Sequence, residues 1–286
     1  LIKKRGNVIT DDEIAPFKNI KRISFNKNLK LYTLNNNKSN FKVLSHFFKN
    51  ESQILRIKYK NLIEDINLKL IGKIQLKNLL MAIITAEKSG LELRKIFKVI
   101  PKLRSTEGRF EKIGNIKNKA KVILDYAHTP DALKVCLLNL REQFPNKKII
   151  LLFGCGGNRD QNKRFKMGKI AAKYSNLIYL TDDNPRFENP DKIRRDIKKG
   201  IKNKKVVEIS NRATAISDAI KNLSTGEILL VAGRGHEKIQ DFGKKKINFS
   251  DKIKILKAIK NKNLLLSNDF KVNIIRELSN KKIINL

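Results

Sequence analysis

The feature that most restricts the fold of this sequence is a regular alternation, from residue 121 onward, of short apolar runs with amphipathic segments of helical length. The apolar runs lie at residues 121–125, 148–154, 177–181, 206–210 and 227–232. Helical periodicity occupies residues 131–143, 162–174, 190–200 and 212–223. Strands that are apolar throughout and separated by helices are typical of a parallel sheet covered on both faces. The alternation therefore predicts a doubly wound α/β domain.

The first hundred residues are less regular. We predict strands and helices there at residues 29–33, 54–59, 67–70, 76–88 and 92–99. Pro101 and the stretch RSTEG at 104–108 interrupt the periodicity, so we place a domain boundary between residues 104 and 105. The α/β domain then spans 105–262, and residues 263–286 form either a packed terminal helix or a loose tail.

The chain of 286 residues carries 63 Lys and Arg against 27 Asp and Glu, a formal net charge of +36. A nucleic-acid-binding protein usually concentrates basic residues on one face or arm, whereas here the excess is spread along the whole chain. The even spread fits a general compositional bias better than a nucleic-acid site. We therefore expect no nucleic-acid partner.

Apolar stretches are all broken by Lys or Asn before they reach the length of a membrane span, so we expect no membrane partner. Two cysteines, Cys136 and Cys155, cannot form a disulfide framework, which favours a reducing cytoplasm. The chain begins with Leu1 rather than Met, and we expect it to be a fragment.

Ligands of open α/β sheets bind at the carboxyl ends of the strands, so the residues that follow each predicted strand are the candidates for a site. These segments are DYAHTPDA at 125–132, GCGGNRD at 154–160, DNPR at 183–186 and GRGHE at 233–237. Two of the three histidines, His128 and His236, lie in them. The glycines after the second strand permit close backbone approach to an anion.

The charged residues in these segments suit an amino-acid zwitterion. Arg159 and Arg186 can each bind a carboxylate through two parallel hydrogen bonds, and Asp183 and Glu237 can bind an ammonium group. Internal salt bridges among these four residues are an equally good interpretation of the sequence alone. No phosphate-loop motif of the form G-x-x-x-x-G-K-[ST] occurs in the chain.

Taken together and in this order, the four segments resemble the Mur ligase family. Residues 108–111 (GRFE) resemble the element that opens the C-terminal domain of that family. Residues 72–78 (GKIQLKN) are similar to a motif of its central ATPase domain, but Ile74 and Gln75 depart from that motif, so only Asn78 is assigned from it. The resemblance implies that residues 1–104 are the C-terminal part of the central ATP-binding domain and that 105–262 are the Rossmann-like C-terminal domain.

The resemblance further implies an ATP-dependent amide ligase of peptidoglycan synthesis that uses Mg²⁺. The DNPR segment associates the chain with the branch that adds meso-diaminopimelate to UDP-N-acetylmuramoyl-L-alanyl-D-glutamate. The phosphate loop and the metal ligands would lie upstream, so we expect the chain alone to be inactive and to hold no metal. We also expect a monomer.

The resemblance implies two groups of site residues. The ATP-binding group comprises Asn78, Arg109, Asp125 and His128. The meso-diaminopimelate-binding group comprises Arg159, Asp183, Asn184, Pro185, Arg186, Gly233 and Glu237. Three alternatives stay open: another Mur-type or folylpolyglutamate-type ligase, a non-enzymatic nucleic-acid-binding protein, and a relative that binds an amino acid without catalysis.

Overall fold

The computed structural model describes residues 5–34, 41–49 and 51–284, with only the backbone described for residue 41 and residues 269–284. The chain divides into two compact units, Leu1–Arg104 and Ser105–Leu286. Along the described part of the chain, no helix is long and apolar enough to cross a membrane.

The described residues of the first unit form two small sheets and three α-helices. Its elements are β1 (Asn7–Thr10), α1 (Phe17–Asn26), β2 (Lys30–Thr33), β3 (Phe41–Lys49), β4 (Ser52–Tyr59), β5 (Leu62–Leu68), α2 (Lys73–Lys88), α3 (Leu93–Val99) and a 3₁₀ turn (Ile100–Lys102). β1 and β2 pair in parallel, whereas β3, β4 and β5 form an antiparallel meander. Buried residues of β4, β5 and α2 form one apolar core.

The structure corrects several predictions in this unit. The strand expected at residues 67–70 is β5, which begins earlier, at Leu62, and ends at Leu68. The sequence analysis missed β1, α1 and β3 altogether. Ser24 is the only buried residue of α1.

The second unit is a three-layer α/β domain. Its elements are β6 (Glu111–Lys112), β7 (Lys121–Asp125), α4 (Pro130–Gln143), β8 (Ile149–Phe153), α5 (Asn162–Tyr174), β9 (Leu177–Leu180), α6 (Pro190–Lys198), β10 (Val206–Glu208), α7 (Arg212–Lys221), β11 (Ile228–Ala232), β12 (Ile239–Asp241), β13 (Lys246–Asn248) and α8 (Asp251–Ile284). The main sheet has the order β10-β9-β8-β11-β7-β6, and only β6 runs antiparallel to its neighbour.

Burial explains why the strands of this sheet were predictable. Every residue of β8 and β11 is buried, as expected for strands covered on both faces. α4, α5 and α6 pack against one another in sequence order, and α7 packs against α8. The predicted doubly wound sheet is confirmed.

Two of the helices that follow the strands, α4 and α6, begin at residues whose side chains cap the helix N-terminus. Thr129 accepts a hydrogen bond from the Ala132 amide, and Pro130 follows it as the first residue of α4. Asn189 caps α6 in the same way, ahead of Pro190. Pro suits this first helical position because its missing N–H would have no partner there. These caps set the lengths of the loops that carry the predicted site residues.

The C-terminal segment is helical rather than a separate tail. α8 begins at Asp251 and runs through residue 263 without a break. Ile255, Ala258 and Ile259 are buried in the domain core, and Leu266 packs against that core. α8 therefore continues across the predicted division at 262/263 and packs on the domain core as far as residue 266. The division itself and the packing of the residues beyond stay predictions.

Candidate functional site

The carboxyl ends of β7, β8, β9 and β11 open into one depression of about 390 Å³ in the second unit. Seven of the predicted site residues line it: His128, Arg159, Asp183, Asn184, Arg186, Gly233 and Glu237. The parallel order of the strands brings these residues together from four separate loops. We call this depression the rim pocket.

The remaining predicted residues of the second unit lie beside the rim pocket. Pro185 belongs to the loop between Asn184 and Arg186, and its carbonyl oxygen would lie 1.9 Å from a Cβ at position 157. Only glycine fits at Gly157, because any side chain would displace that loop. Asn78 lies in the first unit, exposed on α2.

Asp125 ends β7 and has an organising position. Its Oδ2 accepts a hydrogen bond from the Phe110 amide at 2.8 Å, and its Oδ1 accepts one from the Ala127 amide at 2.7 Å. The Cys136 thiol also donates to Oδ1, at 3.3 Å. The buried carboxylate thereby ties the segment around residue 110 to the loop that carries His128. Its predicted contact with a nucleotide stays a prediction.

Arg109 and His128 meet on one aromatic side chain. The Arg109 guanidinium lies 4.5 Å from the centre of the Tyr126 ring, and the His128 ring packs edge-on against that ring at 4.6 Å. His236 lies on the same ring at 5.5 Å. We call these four residues the Tyr126 ledge. A cation and imidazoles around an aromatic face can bind a base or an anionic phosphate.

The loop from Asp183 to Arg186 is held by hydrogen bonds centred on Asn184. The Asn184 Nδ2 donates to Glu237 Oε2 at 2.9 Å, and its Oδ1 accepts from the Asp241 amide at 2.9 Å. The Gly157 amide donates to the Asn184 carbonyl at 2.9 Å. Asn184 therefore connects the loops that follow β8, β9 and β11.

The charged residues of the rim pocket do not form ion pairs with one another. Within the described residues, Arg159 and Arg186 form no ion pair with Asp183 or Glu237; the Arg186 Nε instead lies 3.9 Å from Asp241, and Glu237 lies 3.5 Å from Arg234. Arg159 is exposed, and the Arg186 Nη1 donates to the Gly157 carbonyl at 2.8 Å. The alternative of internal salt bridges among these four residues is therefore wrong. Both guanidinium groups can receive a ligand carboxylate.

Ion pairs next to the pocket instead use other arginines. The fully buried Arg164 binds Glu188 at 2.7 Å and Asp196 at 3.3 Å. Burial opposes the ionisation of Glu188, but hydrogen bonds from Arg164 and from the Asn158 amide lower its pKa below the usual value. The pair anchors α5 to the loop before α6, and so supports the position of Arg159 and Arg186.

Both cysteines lie beside the site and are expected to be unreactive. Cys136 and Cys155 are buried, and neither forms a disulfide. Burial raises the pKa of Cys136, with Asp125 adding to the effect, and burial raises the pKa of Cys155 to about 12. Since the thiolate is the reactive form, we expect neither to react with a disulfide reagent at about pH 8 in the folded chain, and both to react in denaturant. Rapid modification of the folded chain would contradict this packing.

Sequence reasoning missed several residues that shape the pocket. Tyr126 and Lys163 line it, and the Lys163 ammonium donates to the His128 carbonyl at 3.0 Å. Gln240, on β12, donates to the Asp183 carbonyl at 2.7 Å. Tyr126 stands within the DYAHTPDA segment and could have been noticed there, whereas nothing in the sequence indicated the hairpin of β12 and β13.

Comparison with known proteins places this domain in a family. The profile described as "Mur ligase, glutamate ligase domain" matches residues 108–235. A UDP-N-acetylmuramoyl-L-alanyl-D-glutamate--2,6-diaminopimelate ligase from Rickettsia felis is 36% identical over 247 residues, covering 86% of this chain and 46% of the relative. The enzyme of that name from Buchnera aphidicola subsp. Baizongia pistaciae is 44% identical over 198 residues, covering 69% of this chain and 39% of its own length.

Solved structures give the same result. The structure of a ligase with that name superposes with a TM-score of 0.64 at 29% identity, covering 90% of this chain and 53% of the other. A folylpolyglutamate synthase from Thermotoga maritima shares the fold, with a TM-score of 0.61 at 23% identity over 81% of this chain and 52% of its own. The chain spans about half the length of the curated relatives it matches. Residues 108–235 are therefore a glutamate ligase domain of the Mur ligase family.

Proposed function

We propose that this chain supplies the C-terminal half of an ATP-dependent amide ligase that adds meso-diaminopimelate to UDP-N-acetylmuramoyl-L-alanyl-D-glutamate. The observation that carries the proposal is the rim pocket, where two guanidinium groups and two carboxylates from three loops stand together without forming ion pairs with one another. The names of the relatives support the same assignment.

The rim pocket suits one end of meso-diaminopimelate, which carries a carboxylate and an ammonium group on the same carbon. Arg159 and Arg186 would bind the carboxylate, and Glu237 together with the Gly233 carbonyl would bind the ammonium. Asp183 adds a second carboxylate, whose Oδ1 accepts a hydrogen bond from the Asn184 backbone amide at 2.7 Å. Asn184 and Pro185 would set the position of Arg186 through the loop they share.

Arg186 would decide between meso-diaminopimelate and lysine, because lysine lacks the distal carboxylate. A guanidinium that is three-quarters buried and left without its ligand carboxylate loses a charged hydrogen bond, which disfavours the smaller substrate. Part of the guanidinium is already committed to the Gly157 carbonyl, which limits its rotation. A guanidinium held in one orientation discriminates between these two substrates better than a mobile one.

The Tyr126 ledge would face the nucleotide. Arg109 would contact phosphate, with His128 beside it, while Asp125 holds the two segments that carry them. Asn78 is a further predicted ATP-binding residue in the first unit, which we propose is the C-terminal part of the ATP-binding domain. Cations on the transferring phosphoryl group lower the barrier by stabilising developing negative charge.

In the proposed reaction, the D-glutamate side-chain carboxylate attacks the γ-phosphorus of ATP, and ADP leaves. The amine of meso-diaminopimelate then attacks the acyl carbon of the acyl phosphate, phosphate leaves, and the nitrogen loses a proton. Mg²⁺ bound with ATP would neutralise phosphate charge. The described residues hold no group of three or more potential metal ligands, so we assign no Mg²⁺ ligand to this chain. We place the reaction in the cytoplasm, where unpaired cysteines and ATP are both expected.

The test is a ligation assay on a chimera that joins the N-terminal half of the Rickettsia felis relative to this chain. A folded chimera should release ADP and form the amide with meso-diaminopimelate, and should use L-lysine at least about 100-fold less efficiently. This chain alone should form no product, because it contains no phosphate-loop motif. A folded chimera that prefers lysine would overturn the proposed substrate.

A further inference from the structure

Arg234 is a fully buried residue whose guanidinium contacts two residues of the rim pocket, and none of the roles assigned above uses it. Its Nη1 donates to the Asn184 Oδ1, and its Nη2 donates to the Ile239 carbonyl at 2.7 Å. The guanidinium also lies 5.4 Å from the centre of the Phe249 ring. These contacts hold it rigidly between the loop after β9 and the hairpin of β12 and β13.

The contact with Arg234 decides which way the Asn184 amide points. The Asn184 Oδ1 accepts two hydrogen bonds, one from Arg234 and one from the Asp241 amide. With its oxygen fixed by two donors, the Asn184 Nδ2 is directed to the Glu237 Oε2, at 2.9 Å. Arg234 Nη1 itself lies 3.5 Å from that same carboxylate oxygen.

Burial of Arg234 is poorly explained by stability alone. Its Nε has no hydrogen-bond partner among the described residues, and burial together with the neighbouring Arg212 lowers the pKa of its guanidinium. Arg212 is already paired with Asp251, which leaves Glu237 as the carboxylate within ion-pair distance of Arg234. A buried charge can cost more than an apolar side chain of similar size, so its position next to two pocket residues points to a role in their geometry.

We propose that Arg234 is a positioning residue for the ammonium end of the substrate: it orients the Asn184 amide and, through it, the Glu237 carboxylate. This inference rests on the proposed function, in which Glu237 binds an ammonium group. With one Glu237 oxygen held by Asn184 and Arg234, the other is left to bind the ligand. Arg234 does not itself touch the substrate.

The test is an NMR titration of the whole isotope-labelled chain with meso-diaminopimelate, for Arg234→Lys against wild type. A lysine side chain at position 234 keeps the charge but cannot donate from two guanidinium nitrogens at once, so the Kd for meso-diaminopimelate should rise about tenfold. Pimelate has the same carbon chain and two carboxylates but no ammonium group, and its Kd should change less than about twofold. Arg195→Lys, on the exposed face of α6, is the matched control and should leave the Kd values of both ligands unchanged.

A double-mutant cycle separates positioning from a merely structural role. If Arg234 acts through Asn184, Arg234→Lys should change the Kd less than about twofold in the Asn184→Ala background. The proposal would be overturned if Arg234→Lys raised the Kd by the same factor in the wild-type and Asn184→Ala backgrounds. It would also be overturned if Arg234→Lys alone left the Kd unchanged. If Arg234→Lys does not fold, Asn184→Asp serves instead, because it keeps an acceptor for Arg234 but removes the donor to Glu237. It should weaken binding as much as Asn184→Ala, and wild-type affinity would overturn the proposal.

Failure of this inference and failure of the proposed function have different signatures. If wild-type chain binds meso-diaminopimelate and Arg186→Ala weakens it, but Arg234→Lys does not, only the role of Arg234 is wrong. If wild-type chain shows no binding, the proposed function is wrong and the role of Arg234 falls with it.

Discussion

Replacing Arg186 by alanine is expected to weaken the binding of meso-diaminopimelate to this chain by about 100-fold, and to change the binding of L-lysine by less than about twofold. The reason is the difference between the two ligands. Only meso-diaminopimelate presents a distal carboxylate to the guanidinium, which the Gly157 carbonyl already orients at 2.8 Å. The variant should therefore lose both affinity and discrimination. NMR titration measures both Kd values.

The matched control for Arg186→Ala is Arg195→Ala. Arg195 lies on α6 in the same unit and is exposed, so its removal subtracts the same charge without touching the rim pocket. A comparable loss of affinity in both variants would mean that the ligand responds to the general positive field of the chain. In that case raised salt should weaken binding strongly, because long-range attraction is screened.

Replacing Asp251 by asparagine is expected to lower the free energy of unfolding of the second unit by about 3–5 kcal/mol. Asp251 and Arg212 are both fully buried and joined by two hydrogen bonds, of 2.8 and 2.7 Å. Burial opposes the charge of Arg212, but Asp251 raises the pKa of its guanidinium, so the pair stays charged. The variant would leave a buried charge without its partner. Urea unfolding followed through the NMR signals of β8 and β11 gives the free energy.

The control for this prediction is an exposed ion pair of the same unit. Lys198, half exposed at the end of α6, binds Glu208 at 2.9 Å, and Lys198→Ala should cost less than about 1 kcal/mol. The Arg212 guanidinium also donates to the Ala232 carbonyl, so the buried pair joins the starts of α7 and α8 to the end of β11. If the free energy of unfolding of Asp251→Asn differed from that of wild type by less than about 1 kcal/mol, the pair would not have this joining role.

Five of the six strands of the main sheet could be predicted from apolar runs in the sequence, whereas β6 has only Glu111 and Lys112 and was missed. The bounds of β7 and α5 agree with the predicted residues 121–125 and 162–174. The hairpin of β12 and β13 could not, since its strands have three residues each and lie around the polar run GKKK. α8 was left open because Lys and Asn interrupt its apolar residues, and only packing against α7 reveals which face is buried.

The site was predictable up to the level of loops. The carboxyl-end rule selected the segments that hold Arg159, Arg186 and Glu237, because parallel strands place their ends on one edge. It could not indicate that Arg186 and Asp183 form no ion pair, since that depends on the hydrogen bond that Arg186 donates to the Gly157 carbonyl and on the one that Asp183 accepts from the Asn184 backbone amide. The contact of Arg186 with Gly157 joins residues far apart in the chain and leaves no local pattern.

The large positive charge also divides into classes that the composition does not separate. Arg164, Arg194, Arg212 and Arg234 are buried, and each contacts carboxylates within the second unit. Arg109, Arg159 and Arg186 are at least partly accessible and lie on or beside the rim pocket. These seven arginines thus support the fold or face the pocket, and the general excess of charge comes mainly from lysines.

The most direct test of the proposed substrate site is the map of NMR shifts when meso-diaminopimelate is added to the wild-type chain. We expect saturable changes at Asn184, Arg186 and Glu237, and none at Lys148 and Lys205, which line a separate cavity of about 330 Å³ in the second unit. L-lysine at the same concentration should produce much smaller changes. Shifts centred on Lys148 and Lys205, or equal shifts with lysine, would contradict the assignment of the rim pocket to meso-diaminopimelate.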